Sequence, residues 1–138
     1  GVEAYPVSKE ELQQLNYTQI IPNSSQDLFD AIHESSWEKQ ENISSYFSLE
    51  KRKQFFKDIS DIDTFDLIYF DAFGARVQPE LWTKDMFYIM YKALKPKGVL
   101  VTYAAIGQVK RDMKSIGFEV ERLQGPPGKR HMFRATKK

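Results

Sequence analysis

The sequence predicts an α/β fold with a mostly parallel sheet, and three observations carry that reading. Two dense apolar runs, Phe65–Asp71 and Val99–Tyr103, flank a stretch of helical spacing, which is the pattern of strands buried in a parallel sheet. An amphipathic segment, Gly107–Ile116, follows the second run and leads to an alternating one, Phe118–Leu123. The chain then closes as strand, turn and strand, with His131–Ala135 last. That ending predicts an antiparallel strand at the C-terminal edge of the sheet.

Each element has its own local reason. Val2–Tyr5 reads as a strand end stopped by Pro6. Ser8 and Glu11 have capping-box spacing, with Val7 placed to staple against Leu12. A second helix opens at Asn23-Ser24-Ser25 after Pro22, with Leu28, Phe29 and Ile32 at helical spacing. Ile43–Leu49 is expected as a strand, Glu50–Ile59 as a short helix, and Asp61–Thr64 as a turn. Ala72–Leu81 is expected to be loop. Thr83 caps a helix carrying Phe87, Met90, Tyr91 and Leu94. Lys95-Pro96-Lys97-Gly98 ends it, Gly117 closes the next helix, and Gly125-Pro126-Pro127-Gly128 is a turn.

The 138 residues fit one domain over residues 1–138. Hydrophobic residues make up 41% and charged residues 28%, a globular balance rather than a disordered one. No apolar run approaches the roughly 18 residues of a membrane span, and the first residues do not read as a signal peptide. Cysteine is absent, which excludes disulfides, zinc–thiolate sites and a thiol nucleophile and suits a reducing cytoplasm. The net charge of +1 conceals two opposed parts. Residues 1–107 hold 11 Lys+Arg against 16 Asp+Glu, net −5, and residues 108–138 hold 9 against 3, net +6. A basic C-terminal quarter points to an anionic partner, or to a solvated basic hairpin.

In open α/β sheets, ligands bind beyond the carboxyl ends of the strands. Two acids are expected there: Glu3 after the first strand and Asp71 after the run at 65. A strand-end Glu suits a ribose diol, and a strand-end Asp can orient a nucleophile. A helix cap or a surface ion pair is the alternative for each. The loop after Asp71 sets Phe73, Arg76 and Trp82 beside the acid, although Trp82 also suits packing under the next helix. The seven glycines form no G-x-G-x-x-G. Such a loop normally precedes the ribose acid by about 20 residues. If Glu3 has that role, the loop and the first strand lie upstream, and the chain is a truncated domain. His33 and His131 lack metal-ligand spacing, so no metal is expected.

The strings Asp71-Ala72-Phe73, Pro79-Glu80-Leu81-Trp82-Thr83, Leu94-Lys95-Pro96-Lys97-Gly98-Val99-Leu100-Val101-Thr102-Tyr103, Gly107-Gln108-Val109-Lys110-Arg111, Gly117-Phe118-Glu119-Val120 and Gly125-Pro126-Pro127-Gly128-Lys129-Arg130 occur in that order. Together they resemble the MnmC/MnmD family of S-adenosylmethionine-dependent tRNA methyltransferases, which complete 5-methylaminomethyl-2-thiouridine. The chain departs from the family pattern at Lys97, where Gly is usual, at Gly74-Ala75 in place of Ala-Pro, and at His131 in place of Glu.

The resemblance implies a Rossmann-like class I methyltransferase sheet lacking its first strand. It also implies methyl transfer from S-adenosylmethionine to the aminomethyl nitrogen of the wobble uridine in the tRNA anticodon loop. Asp71 would face cofactor and amine and hold the nitrogen's lone pair in line, and Glu3 would take the ribose hydroxyls. Phe73, with Trp82 second, would stack on the splayed base. Arg76, Lys129, Arg130, Lys110 and Arg111 would meet tRNA, with Lys114 and Arg134 adding to a basic face. The missing strand would leave unpaired edges that favour self-association. Two other readings stay open: a methyl- or aminopropyl-transferase acting on a small amine, and a non-catalytic RNA-binding module or inactive fragment.

Overall fold

Ser8 begins the first helix of the structure, a computed structural model that describes residues 1–138. The chain forms two compact units, Gly1–Phe56 and Lys57–Lys138. In the first, helix α1 (Lys9–Leu12) carries the expected capping box. The Glu11 amide donates to Ser8 Oγ at 3.2 Å, and the Ser8 amide donates to the Glu11 carboxylate at 2.8 Å. That backbone donor holds the Glu11 carboxyl below its usual range. Helix α2 (Tyr17–Ile20) follows, and α3 (Gln26–Glu34) opens where Ser25 Oγ accepts from the Leu28 amide. Lys51 closes α3, its Nζ donating to the carbonyls of Ile32 and His33 at 3.1 and 2.8 Å. Burial lowers the pKa of this ammonium.

The rest of the first unit departs from expectation twice. Residues 43–49 are not one strand. They belong to an antiparallel hairpin of β1 (Gln40–Ser44) and β2 (Phe47–Glu50), with Gln40 opposite Glu50 and Ser44 opposite Phe47. The turn at Ser45-Tyr46 is held by the Tyr46 amide donating to Ser44 Oγ. The expected helix at 50–59 is also absent. Lys51 and Arg52 form parallel bridges with Trp37 and Val2, and only Phe56–Asp58 winds into a 3₁₀ turn. These long-range backbone bonds satisfy the amides and carbonyls that a helix would have used. The bridge at Val2 is the whole of the expected first strand.

The second unit is built on four strands. β3 (Phe65–Tyr69) leads through a loop and a 3₁₀ turn (Pro79–Trp82) to helix α4 (Lys84–Ala93). Strand β4 (Leu94–Thr102), helix α5 (Gly107–Ile116), β5 (Phe118–Gln124) and β6 (His131–Lys137) complete it. The order across the sheet is β3-β4-β6-β5. β3 and β4 are parallel, and β6 is antiparallel to both β4 and β5. Three of the four strands therefore run in one direction.

The C-terminal strand is not at the edge, as the sequence suggested. β6 lies between β4 and β5, and β5 forms that edge. The reason is packing: Phe133 and Ala135 of β6 are fully buried, which an interior position allows. Ile68, Leu100, Ala135 and Val120 stand in register across one face. On that side the sheet meets α4 and α5, which also pack on each other. They bring Phe87, Met90, Val109 and Met113 into the core. The opposite face is more open. Leu67 and Tyr69 of β3 are exposed, so the dense run at 65–71 is buried on one face only. Every fully buried apolar side chain lies in this second unit.

Entry to β4 is irregular. Phe65 pairs with Leu94, but Leu67 pairs with Val99, so Lys95–Gly98 bulges out. Lys97 sits at φ 66° there. A Cβ on Gly98 would lie 2.8 Å from the Lys95 carbonyl oxygen, so only glycine fits.

Candidate active site at the carboxyl edge of the sheet

Because β3 and β4 are parallel, the residues that follow them emerge at one edge of the sheet. The Phe70 amide still pairs with the Val101 carbonyl at 2.9 Å, and Asp71 comes next. Tyr103 follows β4 in the same way. β5 runs in the same direction as β4, so the turn joining β5 to β6 opens at this edge too. Helix α5 also begins there, bringing Lys110 and Arg111 in its first turns.

The loop after β3 alternates between buried and exposed residues. Asp71 is exposed, Ala72 is buried, and Phe73 is 72% exposed. Two side chains hold its backbone. Tyr103 donates its hydroxyl to the Ala72 carbonyl at 2.7 Å, and Trp82 donates its indole N–H to the Phe73 carbonyl at 2.7 Å. Trp82 is buried, edge-on to Phe70, Phe87 and Tyr103 at centroid distances of 5.3, 6.1 and 6.0 Å. This corrects the expectation that Trp82 serves as a second stacking platform. Its faces are taken up by the core, and it supports the loop from beneath. Phe73 is the aromatic ring that reaches solvent.

Arg76 lies further along the same loop and is exposed. There the Gly74 carbonyl accepts from the amides of Val77 and Gln78 at 2.8 and 3.1 Å. The basic turn has equally local causes. The Lys129 amide donates to the Pro126 carbonyl at 2.9 Å, and Gly128 sits at φ 82°. This is the pattern of a type II turn, with Pro at the second position and Gly at the third. The turn leaves Lys129 and Arg130 exposed. Lys129 Nζ lies 5.1 Å from the centre of the Tyr103 ring, a cation–π contact that joins the basic turn to the ring holding Ala72.

The structure thus brings Asp71, Phe73, Arg76, Lys129, Arg130, Lys110 and Arg111 to one edge of the second unit. Arg111 Nη2 donates to Gln108 Oε1 at 2.7 Å. Arg134 does not add to an open basic face, because its Nε is 2.8 Å from Glu121 Oε2 across the β5–β6 pair. That hydrogen bond holds the Glu121 carboxyl below its usual range. Glu3 belongs to the first unit. It is exposed, and its Oε1 accepts from the Tyr5 amide at 2.9 Å. No group of three His, Cys, Asp or Glu side chains is placed to hold a metal, and no helix is long and apolar enough to cross a membrane.

Sequence reasoning missed Tyr103, which it treated as the end of a strand. The signal that identifies it is positional: a tyrosine at the end of the strand parallel to the one that delivers Asp71.

Comparison with known proteins adds to this geometry. Residues 25–138 match a family model described as S-adenosyl-L-methionine-dependent methyltransferase. The chain is similar to the tRNA 5-methylaminomethyl-2-thiouridine biosynthesis bifunctional protein MnmC of Azoarcus sp. (strain BH72), 32% identical over 69 residues. It is also similar to the MnmC protein of Cupriavidus necator, 37% identical over 71 residues. The aligned stretches are 50% and 51% of this chain and 11% of each relative, so the chain spans only a small part of these proteins. Among solved structures, MNMC2 from Aquifex aeolicus superposes with a TM-score of 0.57 at 25% identity, covering 66% of this chain and 30% of that one.

Proposed function

This chain belongs to the S-adenosyl-L-methionine-dependent methyltransferase family, within which it is of the MnmC type, and from that premise we propose that it methylates the aminomethyl nitrogen on the wobble uridine of tRNA. The observation that carries this reading is a convergence at one sheet edge: an exposed carboxylate (Asp71), an exposed aromatic ring (Phe73) and a basic turn (Lys129-Arg130). A small amine needs the carboxylate alone. A base in a single-stranded loop uses all three, because it is splayed out, stacked and held by its phosphates.

S-adenosylmethionine supplies a methyl group made electrophilic by the sulfonium. The amine lone pair forms the new N–C bond, the C–S bonding pair stays on sulfur, and one proton leaves nitrogen. Asp71 accepts a hydrogen bond from the neutral amine, aims its lone pair along the C–S axis and receives that proton or passes it to water. Phe73 stacks on the uracil ring. Lys129, Arg130 and Arg76 meet backbone phosphates, with Lys110 and Arg111 beside them. Glu3 suits the ribose hydroxyls of the methyl donor. Its exposed carboxylate is acceptor-only, and only Oε1 is engaged by the chain.

The test is Asp71→Ala, made in the natural gene product that carries this sequence and assayed with S-adenosylmethionine and hypomodified tRNA. Turnover is expected to fall by about 100-fold or more, with thermal stability retained because Asp71 is exposed. Near-normal turnover would remove Asp71 from the mechanism. Methylation of small amines but not of tRNA would favour the small-amine reading.

A further inference from the structure

We propose that Tyr103 is a positioning residue: it sets the direction in which Asp71 and Phe73 are presented and links that presentation to the basic turn. The inference rests on the methyl-transfer reading above and names a residue to which that reading gave no role.

Ala72 and Phe73 are consecutive, and their carbonyls are each held by a side-chain donor at 2.7 Å, from Tyr103 and Trp82 respectively. Fixing two successive carbonyls fixes the peptide planes on both sides of Phe73, the 72–73 link and the 73–74 link. On the strand side the Phe70 amide is paired with the Val101 carbonyl, so the short link through Asp71 runs between two held points, and the side chains at 71 and 73 are exposed while Ala72 is buried. Trp82 is itself locked in the core by Phe70 and Phe87. Tyr103 is not locked in that way. It is half-buried, touches Trp82 with one edge and carries the Lys129 ammonium over its ring. Its hydroxyl is also the nearest atom to the position a Gly74 side chain would take, at 3.8 Å, so it sits in the concave side of the loop. One ring therefore touches both the loop that presents the acid and the cation expected to meet phosphate.

Tyr103→Phe separates the two contacts. It deletes the hydroxyl that holds Ala72 and keeps the ring under Lys129. In the natural gene product, kcat at saturating tRNA and S-adenosylmethionine should fall by about 2–10-fold. KM for tRNA should stay within about twofold, because the basic turn keeps its support. Tyr103→Leu removes both contacts and should lower kcat and raise KM for tRNA together. A purely structural role would lower thermal stability and the active fraction without this split. Hydrogen–deuterium exchange is a readout independent of catalysis. In Tyr103→Phe, peptides spanning residues 71–75 should exchange about fivefold faster, with the sheet unchanged. Wild-type kcat in Tyr103→Phe, or unchanged exchange at 71–75, overturns the proposal. If wild-type protein fails to methylate tRNA, the functional reading falls. The exchange measurement then still decides whether Tyr103 holds the loop.

Discussion

Replacing Phe73 by alanine separates its proposed role from an ordinary packing role. The ring is 72% exposed, so truncation removes little buried area, and folding stability should change by no more than about 0.5 kcal/mol. The backbone at 73 keeps its place because its carbonyl is held by the Trp82 indole. The expected loss is in binding. Stacking of a base on an aromatic ring is worth about 1–3 kcal/mol, equivalent to a roughly 5- to 150-fold rise in Kd. The assay is fluorescence anisotropy with a labelled anticodon stem-loop at fixed salt, beside thermal melts of both proteins. Phe73→Trp should bind nearly as well as wild type. An Ala variant that binds within about twofold of wild type would refute the stacking argument. One that melts far below wild type would show that Phe73 is a packing residue.

Three further outcomes follow from other parts of the fold. Lys97 stands at φ 66° in the bulge of β4 and is exposed. A non-glycine there costs roughly 1–2 kcal/mol, while glycine returns about 0.4–1 kcal/mol through the unfolded state. Lys97→Gly should therefore stabilise the chain by about 0.5–1 kcal/mol, read as a higher denaturation midpoint. Glu121 has its folded pKa depressed by Arg134, so its contribution is present above its unfolded value, about 4.3, and is lost as pH falls through the lower folded value. Glu121→Gln should melt below wild type at neutral pH and converge with it in acid, as seen in melts over a pH series. β3 is an edge strand of the four-stranded sheet, and its Leu67 and Tyr69 are exposed. The chain should therefore self-associate with rising concentration in sedimentation, and Leu67→Lys with Tyr69→Lys should suppress this.

The parts of the fold legible from sequence are those in which local and tertiary signals agree. Thr83, Ser25 and the Ser8–Glu11 pair cap helices as their spacing predicted, and α4 and α5 bury the apolar stripes that marked them. The acid at 71 stands at the strand end because the run before it has the length and composition of a strand. The β1–β2 hairpin was not legible, because its turn is Ser45-Tyr46 rather than a Gly- or Asn-containing pair. The helix expected at 50–59 gave way to backbone bridges from Val2 and Trp37, partners remote in sequence. The interior place of β6 is not legible in sequence, because sequence order says nothing about which neighbour a hairpin's second strand takes. Burial of Phe133 and Ala135 settles its place in the interior. In the site, Asp71, Phe73 and the basic turn came from sequence. Tyr103 did not, because its role depends on a contact with a carbonyl 31 residues away. The sequence around Trp82 suits both stacking and packing, and its burial favours packing.

The central claim is that this chain's site transfers a methyl group to the aminomethyl nitrogen of a tRNA wobble uridine. The most direct measurement is nucleoside mass spectrometry of tRNA carrying 5-aminomethyl-2-thiouridine after incubation with the natural gene product and S-adenosylmethionine. The account predicts the gain of one methyl group at that nucleoside, absent without enzyme and strongly reduced by Asp71→Ala. An unchanged nucleoside in the presence of folded, donor-binding protein would contradict it.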